Sequence, residues 1–328
     1  MNRRELLKAA LPLLGSGMLA GCAWREASTA SPGASAPIDA TRFAALRKFV
    51  PTPFGEIACA IHGSGPAALF LHGFPLNSFQ WRGALQKLSP YRTCLAPDFL
   101  GMGFTRISED QDVAPRTQVL MLAALLDALR VDQVDLIAND SGGAVAQLFC
   151  VRYPARVRSL LLTNCDTERQ SPPTAMMPVI ELAKQGRFVD EWLAPWAHDA
   201  TLARSEHGIG GLCYAKPGQP TDEALAMYFG PLLESAERRA GLHRYAIALA
   251  DNSLAGIEAD LRRSRIPVRV AWGMADGIFD ASNADYLDAA FGNSRGVRRL
   301  PESKLFWPEE RPDVIAAEAR ILWEHARR

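Results

Sequence analysis

The chain has 328 residues, enough to bury a large core as one big domain with an insertion or as two domains. Its 36 lysines and arginines match 36 aspartates and glutamates, so it presents no field for nucleic acid, and a small-molecule ligand is the expected partner.

Arg3 and Arg4 precede a mostly apolar stretch from Ala9 to Ala20, which reads as an export address and is too short to span a bilayer. Leu19-Ala20-Gly21-Cys22 resembles a bacterial lipoprotein box, which implies an acylated Cys22 after cleavage; a simple cleaved signal peptide is the alternative. An exported, periplasmic protein is expected, touching a membrane only through a lipidated Cys22. Residues 23–42, rich in Ala, Ser, Pro and Gly, read as a flexible tether. Cys59, Cys94, Cys150, Cys165 and Cys213 sit mostly in apolar runs without metal spacing. One disulfide with spare thiols is open to them, and buried free thiols are preferred.

Folding is expected to begin near Phe43. Strands are predicted at 48–50, 56–61, 67–71, 92–96, 134–138 and 157–163, with helices over 78–88, 117–130 and about 141–151 between them. From 166 to 263 the strand pattern gives way to helical stretches broken by prolines and glycines. Strands at 268–272 and 297–300 then alternate with helices over 282–290 and 312–327. Alternation of this kind predicts an α/β fold, with a mostly parallel sheet covered on both faces. Residues 43–165 and 264–328 form its core, and 166–263 an inserted helical cap over the strands' C-terminal ends, where ligands bind.

The stretch Val134 to Gln147 organises the rest: a buried strand, a sharp turn and a helix, with Asp140 at the tip. In that geometry a side chain stands clear of the backbone, and the following amide points where negative charge develops. Asp140 as a plain helix cap is the bland alternative. Asp140-Ser141-Gly142-Gly143 also spells a serine-protease motif, but Ser141 falls one residue past the turn and the setting is not all-β.

His72-Gly73-Phe74-Pro75 after the third strand, Pro97-Asp98-Phe99-Leu100-Gly101-Met102-Gly103 after the fourth, and the elbow Ala138-Asn139-Asp140-Ser141-Gly142 together resemble the α/β-hydrolases. Haloalkane dehalogenases and epoxide hydrolases are the most similar branch, over about residues 48–328. The resemblance implies an α/β-hydrolase fold and a cofactor-free, metal-free hydrolase of small organic molecules. Asp140 would be its nucleophile, forming a covalent ester that water then hydrolyses. The amides of Phe74 and Ser141 would form the oxyanion hole, and Asp276, in Gly273-Met274-Ala275-Asp276, would orient a histidine. His72, Trp81, Trp192 and Asn139 are expected around the pocket.

One element of the family pattern is missing. The position that carries the family's histidine, before Phe306-Trp307-Pro308-Glu309-Glu310-Arg311-Pro312, is Leu305. Leucine cannot take a proton, so the base would come from elsewhere, or the protein would bind without turnover or act as a divergent lyase. Cap histidines His198, His207 and His243 are candidates, with His207, beside Gly208, best able to reach inward; Lys304 and Glu302 are weaker ones. A tryptophan after the nucleophile, typical of dehalogenases, is here Ser141. Tyr214, Tyr228 and Tyr245 lie in the cap, where epoxide hydrolases keep proton-donating tyrosines.

Overall fold

The computed structural model describes residues 37–325. The twin arginine, Cys22 and most of the expected tether fall outside these residues.

Order begins slightly earlier than Phe43. Helix α1 (Ala40–Leu46) is capped by Asp39, whose carboxylate accepts from the Arg42 amide, so residues 40–42 of the expected tether are helical. Eight strands follow in one sheet: β1 (Arg47–Thr52), β2 (Gly55–His62), β3 (Ala67–Leu71), β4 (Thr93–Pro97), β5 (Val134–Asp140), β6 (Val157–Cys165), β7 (Val268–Gly273) and β8 (Ser294–Leu300). Their order is β1-β2-β4-β3-β5-β6-β7-β8. The β1–β2 and β2–β4 pairs are antiparallel, and the remaining pairs are parallel. Every residue of β3 and β5 is buried, as expected of strands covered on both faces. Helices α2 (Arg82–Leu88), α3 (Pro115–Ala128) and α4 (Ser141–Arg152) belong to this first half; α3 packs on α4, and α2 packs on the last helix.

Between β6 and β7 the chain is helical: α5 (Met177–Lys184), a π-helical turn at Val189–Leu193, α6 (Ala194–His198), α7 (Ala200–Arg204), α8 (Ile209–Cys213), α9 (Asp222–Leu233), α10 (Ala236–Ala248) and α11 (Glu258–Arg263). Helix α10 packs on α5 and α9, whereas α11 packs on α4 and on α12 (Ser282–Ala290), with Leu261 buried. The layer over the sheet therefore ends with α10, before the boundary expected at 263. Helices α13 (Trp307–Glu310) and α14 (Pro312–His325) close the described chain. Among the described residues no helix is long and apolar enough to cross a membrane.

The sheet reverses its direction of winding beside β3: β4 lies on one side of it and β5 on the other. Loops after β3 and β5 thus part in opposite directions, which opens a crevice at their C-terminal ends. Asp140 stands at the end of β5 in that crevice.

Candidate active site

Asp140 is the last residue of β5 and the first contact of α4. Its backbone has φ 55° and ψ −135°, a left-handed conformation that is uncommon and costly for a side-chain-bearing residue. The turn throws the carboxylate off the strand and over the helix N-terminus. Oδ1 accepts from the Ser141 amide at 2.6 Å and Oδ2 from the Phe74 amide at 3.1 Å. Both expected oxyanion amides therefore already hold the carboxylate, as donors suited to negative charge at that point. Close approach depends on Gly73: a Cβ there would lie 2.6 Å from the Asp140 Cβ and 2.7 Å from Oδ2.

A set of side chains fixes the two loops to one another. Gln80 accepts from the Gly73 amide at 3.1 Å and donates to the Asn139 side-chain oxygen at 2.7 Å. Asn139 in turn donates to Thr163 Oγ1, to the Asn164 carbonyl and to the Leu305 carbonyl. Asn139 is thus a brace, turned away from the cavity where it was expected. His72 is also structural: Nδ1 pairs with the Gly73 carbonyl at 2.9 Å, and Nε2 accepts from the Phe99 amide at 3.1 Å, which links the loops after β3 and β4. Burial lowers its pKa, so the ring stays neutral and outside the cavity wall. Asp98 accepts from the amides of Ser78 and Phe104, both at 2.8 Å, and closes its own loop.

A cavity of about 150 Å³ opens above Asp140. Phe74, Phe188, Trp192, Trp196, Leu305 and Phe306 form much of its wall, and Cys213 adds a thiol. Trp192 is at the wall as expected, but Trp81 is fully buried in the core against Phe70. Among the described residues that line the cavity, none is His, Lys or Arg.

The candidate bases are elsewhere. His207 is exposed on the turn between α7 and α8. The turn is pinned at the surface: the Gly208 amide donates to the Ser205 carbonyl, and Gly208 packs on backbone carbonyls where a Cβ would come within 2.3 Å. His198 is exposed, with Nδ1 on the Ala194 carbonyl. His243 is buried on α10, and its Nε2 accepts from the Val189 amide at 3.2 Å. Glu302 is exposed, and Lys304 donates to the Gly211 carbonyl. The cap tyrosines are also engaged: Tyr214 and Tyr228 both donate to Glu309, and Tyr245 donates to Ser141 Oγ at 3.2 Å.

Among the described residues no histidine is paired with Asp276. Its carboxylate accepts from the Asn164 side chain at 2.8 Å and from the Ile278 amide at 2.8 Å. Burial pushes its pKa up to about 6. A third acid was not anticipated: Asp166, one residue past β6, is buried, and burial pushes it up to about 7. Cys165, its neighbour, is the register partner of Asp140 across the parallel β5–β6 pair. Burial, and then the charge of Asp166, raise Asp140 well above the usual carboxylate range, with Asp276 adding to the effect. An acid at the C-terminal end of a buried strand is a readable signal, and Asp166 directly follows such a run. All five cysteines of the described chain are buried and free. Among the described residues no cluster of His, Cys, Asp and Glu could hold a metal ion.

A mostly parallel eight-stranded sheet with a strand–elbow–helix at its centre and helices over the elbow defines the α/β-hydrolase fold. Residues 66–201 match the family model for that fold. The chain has the α/β-hydrolase fold, and the matched segment carries that fold's strand–elbow–helix. It is 40% identical over 113 residues to epoxide hydrolase 2 of Siraitia grosvenorii, covering 34% of this chain and 35% of that one. With haloalkane dehalogenase 2 of Mycobacterium tuberculosis it shares 27% identity over 275 residues, 80% of this chain and 90% of the relative. The more identical matches are local, and the chain spans only 31–37% of the length of those relatives. An α/β-hydrolase-fold protein from Burkholderia ambifaria superposes with a TM-score of 0.69 at 24% identity, over 80% of this chain and 93% of that one.

Proposed function

We propose that the protein is a hydrolase of small organic electrophiles that uses Asp140 as a nucleophile through a covalent ester. The carrying observation is the Asp140 carboxylate, held by the amides of Phe74 and Ser141 on a strained elbow at the floor of an apolar cavity. A carboxylate oxygen would bond to the electrophilic carbon while the leaving group departs with its electron pair. Water would then add to the ester carbon, with the developing oxyanion on the same two amides, and expulsion of the alcohol would restore the carboxylate. The names of the dehalogenase and epoxide hydrolase relatives fit this order of events. If the first 22 residues act as the export address their sequence resembles, the reaction takes place outside the cytoplasm.

One observation favours a second reading. With Leu305 at the wall and no basic side chain among the described lining residues, nothing there deprotonates the water. A binding protein, or a lyase that ends before hydrolysis, would need no such base.

Intact-protein mass spectrometry after incubation with haloalkanes, epoxides and activated esters separates the two. A lasting adduct on Asp140 establishes attack without turnover, and turnover abolished by Asp140→Asn establishes the full cycle. Neither adduct nor turnover across the panel refutes the nucleophile.

A further inference from the structure

The wall above Asp140 is a continuous aromatic path. Ring centroids of Phe74 and Phe188 lie 5.7 Å apart, those of Phe188 and Trp192 5.8 Å, and those of Trp192 and Trp196 5.7 Å. Phe306 and Leu305 continue the wall beside Asp140. Aromatic faces carry negative quadrupole density and attract a cation within about 6 Å of the ring centroid. The floor is a carboxyl group, and two more acids, the buried Asp166 and the half-buried Asp276, add their fields to it. No cationic side chain among the described lining residues balances that charge, and the amine of Lys304 is turned to the Gly211 carbonyl.

We infer that this cavity takes a small alkylated ammonium ion, with Asp140 as its counterion and Phe188, Trp192 and Trp196 as its walls. Full alkylation follows from the lining. A primary ammonium carries three N–H donors that all need acceptors once buried. Apart from Asp140 and the Cys213 thiol, the lining side chains are apolar, so those donors would go unmet. A quaternary head has no N–H to satisfy and spreads its charge over methyl groups that pack on rings.

Binding is also tied to a proton. Burial and neighbouring acids favour the neutral form of Asp140, and an arriving cation favours the charged form. The cation therefore displaces a proton, and affinity rises with pH. This inference rests on reading the cavity as the ligand site and does not require Asp140 to attack carbon.

The test compares choline with its neutral isostere 3,3-dimethylbutan-1-ol on the full chain, by calorimetry and by tryptophan fluorescence. Choline is expected to bind at least about tenfold more tightly at about pH 8, with the preference shrinking towards about pH 5. Asp140→Asn and Trp192→Leu should each remove most of that preference, with an unchanged circular dichroism spectrum and melting curve reporting that the variants are folded. Equal affinity of wild-type protein for the two, or binding of neither, overturns the inference. A choline preference with neither adduct nor turnover from any electrophile leaves this inference standing and removes the nucleophile reading; adducts or Asp140-dependent turnover from neutral electrophiles without a choline preference do the reverse.

Discussion

The carbonyl of Leu305 accepts a hydrogen bond at 3.1 Å from the side chain of Asn139, the residue before Asp140. The backbone at the family's histidine position is therefore held against the elbow even though the side chain is an inert leucine. Two further bonds fix it from the other side: the Phe306 amide donates to the Cys213 carbonyl, and the Ala275 amide donates to the Ser303 carbonyl. The second of these keeps the loop bearing Asp276 against the segment bearing Leu305.

Leu305→His is accordingly expected to install a base without moving the backbone. Positioned general bases contribute roughly 10²–10⁴-fold. If the cycle lacks only that group, an adduct that persists in the wild type should turn over in the variant, with a gain of about 10² or more in kcat for an activated ester. Stopped-flow or product assays on both proteins measure this. No gain with an adduct still formed would show that the water cannot reach the ester carbon.

Gly73→Ala probes the oxyanion loop. The added Cβ would sit within 3 Å of the Asp140 side chain, and the carboxylate would have to leave the Phe74 amide. Loss of one such donor costs about 10²–10³ in rate elsewhere. Hydrolysis of the Asp140 ester, measured on the Leu305→His background where it turns over, should slow by that order, while circular dichroism stays native. An unchanged rate would mean that the Phe74 amide is not part of the chemistry.

Much of this site was legible in the chain because it is built from backbone. The elbow follows from a buried strand, a turn and an Ala-rich helix, so Asp140 and the amides of Phe74 and Ser141 fall where the pattern places them. The sheet was readable for the same reason: β3 is an uninterrupted apolar run, and β5 is apolar up to its polar tip except at Asp135. The cavity wall was not readable, since Phe188, Trp196 and Cys213 reach it through tertiary packing of short helices with no fixed period. Trp81 illustrates the ambiguity, because a tryptophan near a motif loop can face either the pocket or the core, and here it packs on Phe70. His207 was misplaced by reading glycines as mobility; Gly208 and its neighbours instead allow close packing of α8. Asn139 was expected at the pocket, yet its amide is consumed by four partners behind the elbow.

Glu309, on α13, joins the helical layer to α2. It accepts from Arg82 at 2.8 Å, from Tyr214 at 2.7 Å and from Tyr228 at 2.8 Å, and its side chain is 3% exposed. Glu309→Ala would leave the Arg82 guanidinium, itself 16% exposed, without its carboxylate. Breaking a buried pair in this way costs about 3–5 kcal/mol. Chemical denaturation should show a loss of that size, and a double variant with Arg82→Met should recover part of it. Full stability in Glu309→Ala would mean that water replaces the carboxylate at no cost.

The three acids also set the response of stability to pH. Asp276 is pushed up to about 6 and Asp166 to about 7, with burial the leading cause for both, and Asp140 is raised in the same direction. In the unfolded chain each would titrate near its ordinary value of about 4. Between about pH 4 and about pH 7 the folded protein therefore holds more protons than the unfolded one, and stability falls as pH rises through that window. Below it both states are protonated and this contribution is fully present; above it both are ionised, and it is lost. Thermal melts taken from about pH 5 to about pH 8 should move to lower temperature. Asp166→Asn carries no charge at any pH and should flatten the upper part of that slope. It should also ease the titration of Asp140, so that attack on an activated electrophile reaches half its maximum at lower pH than in the wild type. A melting temperature that rises with pH across this window would show that the acids are solvated in the folded protein, and that the cavity floor is wetter than its lining implies.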